Sequence, residues 1–148
     1  MTRIDFYILT GDAHASREQF TCRLAEKVYL LGQRAYIHTE SAEHSAMLDQ
    51  LLWSYKQNSF VPHAIEDETP DPEAAVLIGH GSNTENHHHA QNRELLINLA
   101  SEIPLFFSSF KRVVEVINND EQTKQCGRDH YRFYRDRGYT LENHTINQ

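Results

Sequence analysis

The spacing of apolar positions along the chain switches repeatedly between two and nearly four residues, and each switch marks an element. Residues 3–10 carry Ile4, Phe6, Tyr7, Ile8 and Leu9 in a short run rich in branched and aromatic side chains, which predicts a first strand. Gly11-Asp12 then turns the chain. Across 15–31, Phe20, Leu24, Val28 and Leu31 recur at spacings of four, four and three, the mark of an amphipathic helix. Ser16 is placed to cap its start and Gly32 to end it. Residues 34–38 predict a short strand. Ser41 opens a second helix with His44 at the third helical position, where a capping box would take Glu or Gln. Met47, Leu48, Leu51, Leu52 and Tyr55 form the apolar face of that helix.

The second half repeats the alternation. Residues 59–63 read as an extended piece, 64–73 as an acidic loop broken by Pro70 and Pro72, and 74–78 as a buried strand. The stretch 79–92 is polar and reads as a loop. Residues 95–99 predict a strand, and Pro104 fits the first turn of a short helix over 105–110. Residues 111–117 (Lys-Arg-Val-Val-Glu-Val-Ile) are a strand. Asn118-Asn119-Asp120 ends it and caps a last helix that reaches Gly138, after which 139–141 can add an edge strand. Strands alternating with helices predict an α/β domain spanning 1–148. Its sheet should be mostly parallel and twisted, with helices on both faces, and Rossmann-like.

Charge changes the picture at one place. The chain as a whole is acidic, with a formal charge of −7, which opposes indiscriminate binding along nucleic acid. Residues 121–139 run against that trend, with five Lys and Arg residues to three carboxylates. On a helix of about 100° per residue, Lys124, Arg128, Tyr131 and Arg135 fall within roughly 60° of one another. Arg132 borders this stripe. Cys126 and Phe133 point to the opposite side and can pack on the sheet, leaving the stripe in water. A phenol ring among guanidinium groups offers stacking, cation–π contact and bidentate carboxylate binding together. A phosphate backbone with its bases fits such a surface, and so does an acidic peptide that ends in an aromatic residue.

Other candidate chemistry is weaker. Gly79-His80-Gly81-Ser82 follows a strand but has neither the phosphate-loop order nor the nucleophile-elbow order. Gly11-Asp12 lacks the second and third glycines of a dinucleotide fingerprint, so no cofactor is expected and a small nucleotide-dependent enzyme is the remote alternative. His80, His87, His88 and His89 crowd one Asn-rich loop without the regular scaffold a metal centre needs, so no metal is expected. Cys22 and Cys126 are far apart and read as reduced thiols. Trp53 and Phe60 are either core residues or a small exposed patch for a protein partner. No apolar run approaches the ~20 residues that span a membrane. With no export signal at the start, the cytoplasm is the expected compartment.

The residues also carry a resemblance over nearly the whole chain. The opening Phe6-Tyr7-Ile8-Leu9 strand, Leu52-Trp53 with the Ser59-Phe60-Val61-Pro62-His63 run, and Val113-Val114-Glu115-Val116 belong to it. So does Arg128-Asp129-His130-Tyr131-Arg132-Phe133-Tyr134-Arg135 with Gly138-Tyr139. With these features the chain resembles the chi subunits of bacterial DNA polymerase III holoenzyme. The resemblance implies a non-catalytic, replisome-associated accessory factor with two partners. One is the psi subunit, which joins it to the clamp loader. The other is the acidic, aromatic-ended C-terminal tail of single-stranded DNA-binding protein, so that DNA is reached only indirectly.

The resemblance maps tail binding onto Ile117, Lys124, Arg128, Tyr131, Arg132 and Arg135. Arg128 and Arg132 are expected to meet the tail carboxylates, and Tyr131 with Ile117 its terminal ring. It maps psi binding onto Trp53 and Phe60; a repair helicase is an alternative partner for the same patch. It thereby prefers the peptide to the alternative of a direct single-stranded DNA-binding module. Three features depart from the family pattern: Arg132 stands where lysine is familiar, and the stretches 66–73 and 79–92 diverge.

Overall fold

A computed structural model describes residues 2–11, 17–56, 60–66, 74–81 and 93–146. Seven strands form one sheet: β1 Arg3–Leu9, β2 Ala35–Thr39, β3 His63–Ile65, β4 Val76–His80, β5 Leu95–Asn98, β6 Arg112–Ile117 and β7 Thr140–Ile146. Their order across the sheet is β3-β4-β2-β5-β6-β1-β7, and every neighbouring pair is parallel. Among the described residues three α-helices lie between strands: α1 Arg17–Leu30 after β1, α2 Ala42–Ser54 after β2 and α3 Glu121–Asp136 after β6.

Strands buried on both faces need apolar side chains at consecutive positions, and Val76-Leu77-Ile78 and Leu95-Leu96-Ile97 supply them. Alternation then sorts the core into two layers. Leu9, Ile37, Ile78, Ile97, Val114 and Val116 pack under α1 and α2. Ile4, Phe6, Tyr36, Leu96, Val113 and Ile117 face the other way, toward Tyr134 of α3 and Phe107 and Phe110 of the 100–110 segment. The α/β sheet with helices on both faces is as the sequence predicts.

Helix ends follow their capping residues. The Ser41 hydroxyl accepts from His44 N at 3.1 Å, and the His44 ring reaches back to accept from Glu40 N at 3.1 Å. His44 therefore does the work that Glu or Gln does in a capping box, one residue earlier. Gly32 has φ +76°, the left-handed cap conformation that ends α1. Ser16, the expected cap of α1, lies outside the described residues.

Several boundaries differ from the sequence reading, each for a physical reason. The expected loop over 79–92 begins two residues later, because β4 continues through Gly79 and His80. Gly79 pairs with His38 of β2, and glycine is needed there because the Tyr36 hydroxyl lies 2.1 Å from where a Cβ on residue 79 would stand, with Glu66 Oε1 at 2.9 Å. The expected loop over 64–73 gives up Ala64 and Ile65 to the edge strand β3, and Glu66 is buried beside the Tyr36 hydroxyl. The helix expected over 105–110 is a single 3-10 turn, Phe107–Ser109. The last strand, expected over 139–141, is seven residues long and pairs with all of β1. The histidines at 87–89 lie outside the described residues.

Candidate functional site

The site is built where α3 crosses strands β6, β1 and β7. Asp120 fixes the start of the helix: its carboxylate accepts from Thr123 N at 2.8 Å and from the Thr123 hydroxyl at 2.9 Å. The bond from Thr123 N, against a small cost of burial, holds this carboxyl below its usual range. Ile117 ends β6 only a short turn earlier, so the end of the strand and the first turns of the helix share one neighbourhood.

A buried polar cluster holds the helix to the sheet. Glu115 of β6 is 3% exposed. Its Oε2 accepts from Tyr134 Oη at 2.8 Å and from Asn98 Nδ2 at 2.9 Å, and its Oε1 faces His130 Nδ1 at 2.9 Å. The other ring nitrogen of His130 faces the Ser101 carbonyl at 2.8 Å. With Glu115 ionised, both ring nitrogens face acceptors, an arrangement that favours the doubly protonated imidazolium. Burial opposes that charge, but the Glu115 carboxylate and the Ser101 carbonyl outweigh it and hold the His130 pKa above its usual 6.5. Burial and the same carboxylate push the Tyr134 hydroxyl far above its ordinary value, so it stays a donor.

This anchoring turns the helix differently from the sequence reading. The line facing the sheet is Gly127, His130 and Tyr134. Cys126 and Phe133, expected to do the packing, are only half-buried on one flank. Lys124, Arg128, Tyr131 and Arg135 lie on the other flank, about 100° around from the sheet-facing line. The stripe is therefore not the outward crest of the helix. It forms one wall of a groove whose floor is the sheet.

The groove encloses about 430 Å³, within the range of small-ligand and peptide-anchor pockets. Phe6 and Ile8 of β1 with Ile117 make an apolar floor, Asn143 of β7 forms the far side, and Lys124, Arg128, Tyr131, Arg132 and Arg135 line the helical wall. Tyr131 is half-buried, with its ring 5.3 Å from that of Phe6 at 58°. The guanidinium groups stay in water, with side-chain exposures of 53% for Arg128 and 60% for Arg132 and Arg135. Their partners are other surface side chains: Glu121 at 3.9 Å and Gln125 Oε1 at 3.0 Å from Arg128, Asp129 at 3.9 Å from Arg132, and Asp136 at 3.3 Å from Arg135. Exposed pairs of this kind contribute about 0–1 kcal/mol, so a ligand carboxylate can replace them at little cost. All six residues singled out for tail binding thus line one hollow. Phe6, Ile8, Gly127 and Asn143 were missed. Phe6 and Ile8 could have been found from the two-residue period of β1, whereas Asn143 required the full length of β7.

Trp53 and Phe60 are not core residues. They are 55% and 59% exposed, with rings 5.5 Å apart, and His63 lies 4.8 Å from the indole. They sit by β3, at the opposite edge of the sheet from the groove. Four strands separate β3 from β1, which at about 4.8 Å per step sets the two surfaces ~24 Å apart.

Other candidate chemistry stays unassembled. Cys22 is buried and free, and burial with the nearby Glu18 charge raises its thiol to about 12. Cys126 is free too, and burial together with Glu115 raises its pKa. Asp5, Glu142 and His144 cluster with potential ligand atoms within 4.8 Å of one another. However, Arg3 and Arg112 already engage the Asp5 carboxylate, putting two guanidinium charges where a cation would go. Among the described residues, no helix is long and apolar enough to cross a membrane.

The sequence profile of the family described as "DNA polymerase III chi subunit, HolC" matches residues 1–142. The chain belongs to this family. Three relatives named DNA polymerase III subunit chi agree along their length. The protein from Pseudomonas aeruginosa is 40% identical over 99% of this chain and 98% of its own. The one from Haemophilus influenzae is 31% identical over 95% of each, and the one from Escherichia coli 30% identical over 98% of this chain and 99% of its own. Family membership makes this a replication accessory subunit of DNA polymerase III, not a catalytic one. A crystal structure of T4 UvsW superposes with a TM-score of 0.67 over 99% of this chain and 42% of that one, at 11% identity. That likeness is one of fold.

Proposed function

We propose that this chi-family protein bridges two partners from opposite edges of its sheet. The groove beside α3 receives the acidic C-terminal tail of single-stranded DNA-binding protein. The Trp53–Phe60 patch docks the psi subunit and, through it, the clamp loader. The observation that carries the reading is the groove itself, an apolar floor with three exposed arginines, a half-buried lysine and a tyrosine along one wall. Arg128 and Arg132 pair with tail carboxylates, while Lys124 and Arg135 extend the positive field. The terminal aromatic side chain enters the hollow between Tyr131 and Ile117, over Phe6.

The chemistry favours a peptide over a nucleic acid strand. Single-strand binders present several aromatic faces on which successive bases stack. Here Phe6 is 3% exposed and Tyr131 leans on it, so the groove offers one apolar seat and not a platform. Separating the two docking surfaces by ~24 Å lets both partners bind at once.

A pull-down tests the assignment. Full-length single-stranded DNA-binding protein should retain the subunit, and the same protein lacking its last residues should not. Equal retention by both forms rejects the tail as the ligand.

A further inference from the structure

The edge strand β7 and its neighbour β1 have a second hollow on their other face, independent of the groove just assigned. It encloses about 350 Å³ and is lined by Tyr7, Phe20, Arg23, Leu24, Lys27 and Ile146. Alternation along the strands produces it. Phe6 and Asn143 point into the first groove, so Tyr7 and Ile146 point into this one. Helix α1 forms its wall as α3 forms the other. Phe20, Arg23, Leu24 and Lys27 recur at helical spacing on one flank, bordering the line Cys22, Ala25 and Val28 that packs on the sheet.

The make-up of this hollow is specific. Tyr7 and Phe20 give an aromatic floor, with ring centroids 5.1 Å apart, and Leu24 and Ile146 close its sides. Both cations are exposed. The Arg23 guanidinium lies 5.6 Å over the Phe20 ring, and neither Arg23 nor Lys27 is paired with a carboxylate among the described residues. The carboxylates on this face of the strands are occupied. Asp5 is held by Arg3, Arg112 and His144, and Glu142 lies 4.0 Å from the His144 ring. Two unpaired cations beside an apolar seat complement a ligand that joins negative charge to an apolar side chain.

We propose that this hollow is a second docking site for an acidic peptide segment of a protein partner, anchored by one aromatic or aliphatic residue. The anchor sits on Tyr7 and Phe20 between Leu24 and Ile146, and the acidic residues meet Arg23 and Lys27. The two grooves lie back to back on the β1–β7 edge, so the subunit can hold two acidic segments at once.

The test uses the full chain carrying Arg128→Ala and Tyr131→Ala, which silences the first groove. The probe is the peptide Asp-Asp-Asp-Gly-Leu-Phe with a free carboxylate, titrated at low salt and followed by amide chemical shifts. Saturating shifts at Phe20, Arg23, Leu24, Lys27 and Ile146 are expected, with a Kd of about 1 mM or tighter. Adding Arg23→Glu and Lys27→Glu, both at exposed positions, should weaken binding at least about tenfold. Absence of shifts on α1, or affinity untouched by the charge reversals, overturns the proposal. So does a thymidine hexamer that binds these residues more tightly than the peptide does. Because the first groove is silenced, its own assignment can fail without affecting this result.

Discussion

Gly127 of α3 lies against Ile117 of β6 so closely that a Cβ on residue 127 would stand 2.6 Å from the Ile117 Cδ1 atom. This approach lowers the helix onto the sheet. It places the Lys124–Arg135 flank at the rim of the hollow and Ile117 in its floor. A side chain at 127 must displace one or the other. Gly127→Val should therefore cost about 1–3 kcal/mol of stability by overpacking. It should also weaken tail-peptide binding through a shifted floor. Denaturant melts and a peptide titration read the two effects; wild-type affinity would show that the close approach does not shape the groove.

The Glu115–His130 pair gives stability a pH dependence of known sign. The folded-state pKa of His130 is raised above 6.5, so its contribution is fully present below 6.5 and is lost as pH rises through the folded value. The stability difference between wild type and His130→Gln should accordingly shrink as pH rises through that window. Glu115→Ala should cost about 3–5 kcal/mol near pH 6, because it leaves the imidazolium buried without its partner. Thermal melts across pH check both; a difference that grows with pH contradicts the imidazolium assignment.

Gly79 makes a parallel prediction at the other end of the sheet. Its missing side chain leaves room for the Tyr36 hydroxyl, which donates to Glu66 Oε1 at 3.2 Å. Gly79→Ala should destabilise the fold by about 1–3 kcal/mol. The penalty should be smaller in a Tyr36→Phe background, where the nearest clashing atom is gone. A double-mutant cycle measures this coupling, and strict additivity would deny it.

At the opposite edge, Phe60→Ala should weaken association with psi while leaving the tail groove untouched. Phe60 is exposed, so stability should change by no more than about 0.5 kcal/mol. Co-purification with psi at wild-type yield would remove the patch from the account. Because Phe60 and Arg128 lie on separate surfaces, the effects of their substitutions on the two partners should be independent.

Much of this arrangement was legible in the residues. Hydrophobic period fixed the order of strands and helices, and Asp120 and Ser41 announced their helices by capping chemistry. The basic stripe on α3 was visible from spacing alone. Its orientation was not, because the sheet-facing line of that helix is built from Gly127, His130 and Tyr134, which a search for apolar residues passes over. Glycine contributes closeness, and histidine and tyrosine contribute hydrogen bonds to Glu115, a partner revealed only by the fold. β7 was read short for a related reason: Glu142, Asn143 and His144 look like loop residues, yet they lie on an edge strand with solvent along one side. Gly79 looks like a loop residue in the sequence because the reason for it, the Tyr36 hydroxyl, comes from a different strand, β2.

The most direct test of the central claim is calorimetric titration of a synthetic single-stranded DNA-binding protein tail into wild type, Arg128→Ala and Tyr131→Ala, each checked for folding. Wild type should bind with micromolar-class affinity, equivalent to about −8 kcal/mol, and weaken with added salt. Each variant should lose about tenfold or more, and a tail without its terminal aromatic residue should behave like the Tyr131 variant. Equal affinities for all three proteins would contradict the assignment of this groove.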